Sequence, residues 1–403
     1  MRKPLCEFVN RDCTFLIDFN IISIITCNLS LKEDFSSPSP VYLHNGEFLA
    51  PNSATGDILL RRSEIVQIAC PGHKRFVVLG DEPTHLDVMP VKCVTGKTFR
   101  SDNGWVGELK EVTCNGPPWY SAQETRQYCY GKNKMYRAGY NISGNFHKLY
   151  EICFDKSLYT TLYSKHELTP ASFFKQITSR PSFIEGDLFG KVRMSKLYKI
   201  DHQKKRLREI LGDGMDEKYI TKIQFLNRGH LSPKADFTLS AEQRASFHYA
   251  NTAPQWMRGN AGDWASVEDA VRRRVHDLNT TVTLYTGAYG VMTLADSANK
   301  HREIYLSTDQ NNNGIVPVPL YFFKLVYDPK KQTAVVFVLI NSTYYTEARI
   351  DELSFCQDVC YENSKYKWLK WRNDGTHSFC CEYHEFVENI NVLPQLKVKG
   401  LFY

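Results

Sequence analysis

The sequence predicts an α+β protein in two unequal parts, a small β-rich N-terminal domain and a larger mixed domain. Residues 41–115 alternate short apolar runs with Pro-Gly, Gly-Asp and Asn-Gly dipeptides, the pattern of short strands joined by tight turns. Beyond residue 150, β-type apolar runs are interleaved with the stretch 262–278. There Trp264, Val267, Ala270, Val271 and Val275 recur at steps of three and four, which is helical spacing. The chain has 403 residues, 42% of them hydrophobic and 23% charged, enough for two packed cores of ordinary composition.

In chain order, residues 1–26 form an imperfect signal segment. Met1-Arg2-Lys3 is a suitable basic start and 15–26 is mostly apolar, but Asp18 and Asn20 interrupt it. Residues 27–150 make the cysteine-containing β domain, with strands expected at 57–60, 64–69, 75–79, 91–94 and 111–113. The aromatic, Gly-rich stretch from Cys114 to Cys153 reads as a connecting region. In the larger domain, 151–403, strands are expected at 159–163, 223–226, 281–285, 320–326 and 334–340. No run approaches the roughly 18 apolar residues a membrane helix needs.

Of the twelve cysteines, ten lie beyond residue 26, and Asn-x-Ser/Thr sequons occur at Asn28, Asn141, Asn279 and Asn341. Together they point to an oxidising, glycosylating compartment, hence to secretion. Cys356, Cys360, Cys380 and Cys381 follow no common zinc spacing. The adjacent pair is poorly placed to bridge to itself, so each is expected to bond elsewhere. The net charge is +6. Within residues 190–210 eight basic side chains, among them Lys191, Arg193, Lys204, Lys205 and Arg206, face only Asp201 and Glu209. A solvated helix face and a phosphate-contacting surface both fit that run.

The segment richest in chemistry is Phe225-Leu226-Asn227-Arg228-Gly229-His230. An apolar strand is expected to end in an Arg-Gly-His turn, with Gly229 supplying the bend. Asn251-Thr252-Ala253-Pro254-Gln255 begins 21 residues after His230, and Asn260, Trp264 and Glu268 follow at steps of four. On a helix beginning near Asn260 these three would share one face. Such a set suits phosphodiester hydrolysis. An imidazole takes a proton from water, an arginine steadies phosphate charge, and an amide oxygen holds a hydrated cation. Each residue alone has a duller reading: a lone His after a strand is usually structural, Asn251 could shape a turn, and Trp264 is core.

Taken together, the segment resembles the DNA/RNA non-specific endonuclease family, the ββα-metal nucleases. The family motif is Asp-Arg-Gly-His, then Asn-x-x-Pro-Gln, then a metal-binding Asn, a Trp and a Glu at the spacing found here. By that resemblance His230 is the general base and Asn260 the direct ligand of magnesium, with manganese as substitute. Arg228 lies beside the scissile phosphate, and Glu268 orients water around the metal. Asn251 and Gln255 match supporting positions. Arg180 is the best match to a second catalytic arginine, with Lys165 as the alternative cation. Leu231-Ser232-Pro233-Lys234-Ala235-Asp236-Phe237 and Val316-Pro317-Val318-Pro319-Leu320-Tyr321 resemble the secreted nucleases of arthropods within the family. The resemblance spans roughly residues 150–403 and implies a ββα-metal domain with a mixed or antiparallel sheet.

One position departs: Asn227 stands where the family has Asp, which removes a charge beside the motif. The resemblance implies a secreted enzyme that cuts DNA and RNA through backbone contacts and leaves 5′-phosphate ends, with no membrane partner. Asn227 keeps open an alternative, an extracellular nucleic-acid-binding protein without catalysis.

Overall fold

The computed structural model describes residues 26–372 and 376–403, so the expected signal segment lies almost wholly outside the described residues. The N-terminal strands form where the apolar runs predicted them, as Asp57–Arg61, Ile65–Ala69, Val77–Leu79, Val88–Thr95 and Val112–Cys114. A six-stranded sheet in the order Val106–Glu108, Thr98–Ser101, Val88–Thr95, Ile65–Ala69, Val41–His44, Glu47–Phe48 holds two of them, and two- and three-stranded sheets hold the rest. Alternate residues such as Val66, Ile68, Val91 and Phe99 are fully enclosed, as period-two burial requires. Disulfides Cys27–Cys93 and Cys70–Cys114 cross this core.

A nine-stranded sheet dominates the rest. Its spatial order is Ser121–Tyr128, Lys134–Ile142, Asn145–Asp155, Thr160–Leu168, Val282–Tyr289, Tyr321–Asp328, Thr333–Ile340, His377–Cys381. These neighbours are all antiparallel, and Gly400–Leu401 adds one parallel pairing to Thr333–Ile340. The region expected to be a connector therefore supplies three strands, and the sheet reaches back to Ser121, well before residue 150. Two physical features hid them. Ser121–Tyr128 is a largely exposed edge strand without apolar alternation. Gly139 sits at a register shift, where a Cβ would lie 2.0 Å from the His147 carbonyl oxygen, so glycine here permits a bulge rather than a loop.

The sheet has two covered faces. On one, Tyr163, Tyr285, Phe323, Leu325, Val336 and Val338 pack beneath the C-terminal segment with Phe386. On the other lies the helix Asp263–Asp277, whose Val267, Val271 and Val275 meet Leu168, Leu284, Val326 and Phe337. That helix face carries an unusual polar row, Ser164, Thr286 and Lys324, in direct register across three adjacent strands. All three are fully buried.

The cysteine pair Cys380 and Cys381 bonds outward, to Cys360 and Cys356. Of the four sequons, Asn28, Asn141 and Asn279 are exposed and Asn341 is buried. Asn341 Nδ2 donates to Pro254 O (3.1 Å) and Pro319 O (2.9 Å), and its Oδ1 accepts from Trp256 N (3.1 Å). It is a structural clamp and no glycan fits there. Asn341→Ala would leave one amide and two carbonyls without partners, so chemical denaturation should show a loss of about 3 kcal/mol. Glycan mapping of the wild type should find Asn341 unmodified.

Candidate active site

Leu226–His230 pairs antiparallel with Thr252–Trp256, in the register Asn227↔Gln255, Gly229↔Ala253 and His230↔Thr252. The helices Met257–Ala261 and Asp263–Asp277 follow directly, which completes a ββα unit. The motif expected to be a turn is thus the end of a strand. Gly229 has no left-handed backbone; it is needed because a Cβ would sit 2.3 Å from Gln255 Oε1 and 2.8 Å from Gln255 Cβ. The expected continuous helix from Asn260 to Glu268 is also corrected. Gly262 breaks it (φ −103°, ψ −112°), so Asn260 sits on the short first piece, and Trp264 and Glu268 on the second.

Strand alternation puts Arg228 and His230 on one face. His230 packs against Phe183 (5.0 Å between centroids) and Phe247 (4.8 Å). The Arg228 guanidinium lies 5.1 Å over Phe183 and 5.8 Å over Tyr198, with its NH1 3.4 Å from Tyr249 Oη. Arg180 lies 5.6 Å over Phe247. These three side chains share one aromatic floor, and cations over ring faces are held without a carboxylate to neutralise them. Burial, and then the charges of Arg180, Arg228 and Lys234, hold the His230 imidazole down at about 3. Its Nε2 is enclosed and without a partner among the described residues, although the residue is partly exposed. A ring face accepts an N–H but repels a lone pair. Nδ1 is not among the enclosed, unpartnered atoms, which leaves it as the ring nitrogen open to a partner from outside.

The supporting residues lie deeper. Asn251 is fully buried; its Oδ1 accepts from Ser232 N (2.8 Å) and its Nδ2 donates to Ser232 O (2.7 Å) and Ser246 O (2.9 Å). It pins the chain just beyond His230. Gln255 is also fully buried, and both its amide atoms lack partners among the described residues.

A buried charge cluster links this unit to the sheet. Asp236 takes a hydrogen bond from Arg272 NH1 and another from His166 Nε2 (2.9 Å). His166 Nδ1 meets Ser232 Oγ at 2.9 Å, and Ser232 Oγ meets Ser164 Oγ at 2.7 Å. The order Ser232–His166–Asp236 has the look of a nucleophile triad, but Ser232 is sealed from solvent, so it serves as a lock. Burial would raise Asp236, yet Arg272 and His166 outweigh it and hold the carboxyl at about 2. Glu268 lies on the same helix stripe as Trp264 and Arg272. Burial pushes its carboxyl up to about 7 against the pull of Lys324, whose Nζ donates to Thr286 Oγ1 (2.6 Å) 5.8 Å from the Trp264 ring.

A family model described as DNA/RNA non-specific endonuclease matches residues 131–386. The chain belongs to this family. Its members are nucleases, and so is this chain. It is similar to a salivary endonuclease of Lutzomyia longipalpis, 33% identical over 382 residues that span 92% of this chain and 85% of the relative. It is also similar to salivary protein Tsal2A of Glossina morsitans morsitans, 26% identical over 93% of this chain and 94% of that one. A salivary endonuclease of Culex quinquefasciatus is 27% identical over 58% of each chain.

For a metal of this nuclease family, the donors present are hard oxygens. Asn260 is partly exposed, and its amide has no intramolecular hydrogen bond among the described residues. Glu268 supplies a carboxylate on the next helix. Among the described residues the one His/Cys/Asp/Glu cluster is Asp358, Cys360 and Cys380, and both its cysteines are in disulfides, so a zinc cage does not fit. A single amide oxygen with a carboxylate on the following helix suits a cation that keeps most of its water.

The expected cations divide. Lys165 alternates onto the opposite face of the sheet, 3.6 Å from Glu151 and beside Tyr285, away from the aromatic floor on which Arg180 lies. Lys191 and Arg193, with Lys196 and His202, line an open groove of about 850 Å³, and Arg193 also approaches Glu185 (3.5 Å). Arg206 is tied to Tyr305 O and Glu209, and Lys205 reaches Glu209 at 3.9 Å, while Lys204 carries no ion pair among the described residues. Sequence reasoning passed over His166, Ser232, Asp236, Arg272 and Lys324. The legible hint was Ser232 and Asp236 so soon after His230.

Since the folded Glu268 keeps its proton up to about 7 while an unfolded carboxylate loses it near ~4.3, its contribution to stability is complete below the lower value. It is lost as pH rises through the upper one. Thermal unfolding in chelator from pH 4.5 to 8 should show this decline, and Glu268→Gln should flatten it. A second expectation concerns Gly229→Ala. The added methyl must displace Gln255, so cleavage should fall at least tenfold, measured as initial rate on plasmid.

Proposed function

We propose that this nuclease is a secreted endonuclease that uses magnesium to hydrolyse internal phosphodiester bonds of DNA and RNA, leaving 5′-phosphate and 3′-hydroxyl ends. The observation that carries the reading is the shared aromatic floor on which His230, Arg228 and Arg180 converge, with the strand of Arg228 and His230 paired to Thr252–Trp256, which leads into the helix bearing Asn260. His230 Nδ1 takes a proton from the attacking water. Arg228 and Arg180 grip the non-bridging oxygens as charge grows on them. The Asn260 amide oxygen would hold magnesium, and Glu268 would accept hydrogen bonds from the water around it. Magnesium, when bound, supplies a Lewis acid for the phosphoryl oxygen and the departing oxygen.

An imidazole near 3 is a weak base, and the cause is chiefly burial followed by three cations. A phosphate anion seated on Arg180 and Arg228 cancels much of their repulsion. Basicity therefore rises once substrate is in place. The Lys191, Arg193 and Lys196 side of the groove would track the backbone, with no element suited to reading base edges. The salivary relatives and the five disulfides support an extracellular setting, and no helix of the described residues is long and apolar enough to cross a membrane.

Plasmid nicking with magnesium, and again with chelator, tests the reading. His230→Ala should lose about a thousandfold or more in rate while DNA binding by mobility shift stays unchanged, and Asn260→Ala should lose the response to magnesium. A wild type that binds DNA yet never cuts it would favour the binding-only alternative raised by Asn227. Replacing Lys191, Arg193 and Lys196 together by Ala should weaken binding evenly across sequences and reduce the slope of log affinity against log salt by about 2–3.

A further inference from the structure

Tyr219, Tyr344 and Tyr345 wall a cavity of about 290 Å³ beside the ββα unit. That is close to the roughly 300 Å³ at which small-ligand sites begin, so it suits one compact molecule. The rings are fixed in place. Tyr219 Oη donates to Ala295 O (3.0 Å), Tyr344 Oη donates to Tyr219 O (2.8 Å), and Tyr345 Oη accepts from Thr293 N (3.0 Å). Tyr219 and Tyr344 also meet edge to face at 4.9 Å. Lys218, His301 and Arg349 complete the rim, and no carboxylate lines the cavity.

This lining selects a chemistry. A cationic ligand would meet the like charges of Lys218 and Arg349, and a purely apolar one would leave Lys218 unpaired, whereas Arg349 already pairs with the exposed Glu352 (2.7 Å). A flat aromatic group joined to an anion satisfies both halves, the rings by stacking and the cations by pairing with phosphate.

Its position adds a second argument. Tyr344 packs against Trp256 at 5.3 Å, and Trp256 is the residue from which the Asn260 helix starts. Arg258 of that helix acts on the Tyr344 phenol through its charge. Its backbone N is held by Gln224 Oε1 (3.3 Å), and Gln224 Nε2 donates to Thr343 Oγ1 (3.1 Å). One hydrogen-bonded path thus joins the Asn260 helix to Thr343, next in sequence to Tyr344 of the cavity wall, with the exposed Arg258 along it.

We propose that this cavity is an accessory nucleotide subsite, which takes one base and its phosphate from the substrate strand on the Asn260 side of the scissile bond. The inference rests on the nuclease reading above and extends it from a site that grips a single phosphate to one that also holds a neighbouring nucleotide. Occupancy there would favour substrates several nucleotides long over the shortest ones.

The test uses 5′-AMP as probe, titrated calorimetrically into the full chain carrying His230→Ala in chelator, beside adenosine and inorganic phosphate. We expect 5′-AMP to bind at least tenfold more tightly than either fragment. Lys218→Ala with Arg349→Ala, both exposed positions, should weaken it at least tenfold, and Tyr345→Leu should do the same by removing the stacking face while keeping the bulk. On the His230 background these variants should melt like their parent. On the wild-type background they should raise KM for a 12-nucleotide strand at least fivefold and leave kcat within twofold. Unchanged 5′-AMP affinity in both variants, or an unchanged KM for the 12-mer in an enzyme that still cuts plasmid, would overturn the subsite and leave the nuclease reading intact. Loss of cutting in the wild type, with 5′-AMP still bound and still lost in the variants, would overturn the nuclease reading instead.

Discussion

A single buried carboxylate ties the working parts of this molecule together. Asp236 accepts from Arg272 on the helix and from His166 on the sheet strand Thr160–Leu168, and it belongs to the segment that leaves His230. Three pieces of chain far apart in sequence meet at two oxygens. Inside the protein an ion pair of this kind adds little if replaced whole, but removing one partner strands a charge and costs about 3–5 kcal/mol. Its value here is positional. It fixes the height and rotation of the helix over the sheet, and Glu268, one turn before Arg272, is placed with it. Asn251 pins the same segment from the other side through both backbone groups of Ser232. The base and the carboxylate of the proposed reaction are therefore set by one rigid frame.

That frame also explains the polar row under the helix. A sheet covered by a helix ordinarily presents apolar side chains, and Leu168, Leu284 and Val326 follow this rule. One step along each strand, Ser164, Thr286 and Lys324 break it. Buried ammonium and carboxyl groups share the space beneath Glu268, and burial alone would keep both neutral. Lys324 draws Glu268 toward its charged form while Glu268 raises Lys324.

Much of this was legible from residue order. The helix at 262–278, the strands around it and the outward bonding of Cys380 and Cys381 follow from periodicity and spacing, and the motif marked out the ββα unit on which Arg228, His230, Asn251, Gln255, Asn260 and Glu268 lie. Errors arose where glycine has more than one use. Gly229 was read as a bend and is a point of close approach by Gln255; Gly139 helped a strand look like a loop; Gly262 divides a helix that periodicity joins. Lys165 went astray for a different reason, since proximity in sequence to the site strand says nothing about which face a side chain takes. The lock of Ser232, His166 and Asp236 could not be read at all, because its partner in the sheet lies 70 residues away and has no motif.

The C-terminal disulfides fit the same logic, although they lie outside the motif. Cys360–Cys380 and Cys356–Cys381 hold the loop after residue 353 against the strand His377–Cys381. Within that loop Asp358 accepts from the backbone of Cys360 and Cys380 and pairs with Arg372. The Arg372 backbone N and Ser378 Oγ in turn donate to the two oxygens of Asp263. Asp263 opens the second helix immediately after the Gly262 break, so its carboxylate satisfies a dipole end that would otherwise move with the break. A helix interrupted between Asn260 and Glu268 needs its second half anchored independently of its first. The two disulfides, acting through Asp358 and Arg372, provide that anchor at one end, and Arg272 on Asp236 provides it at the other.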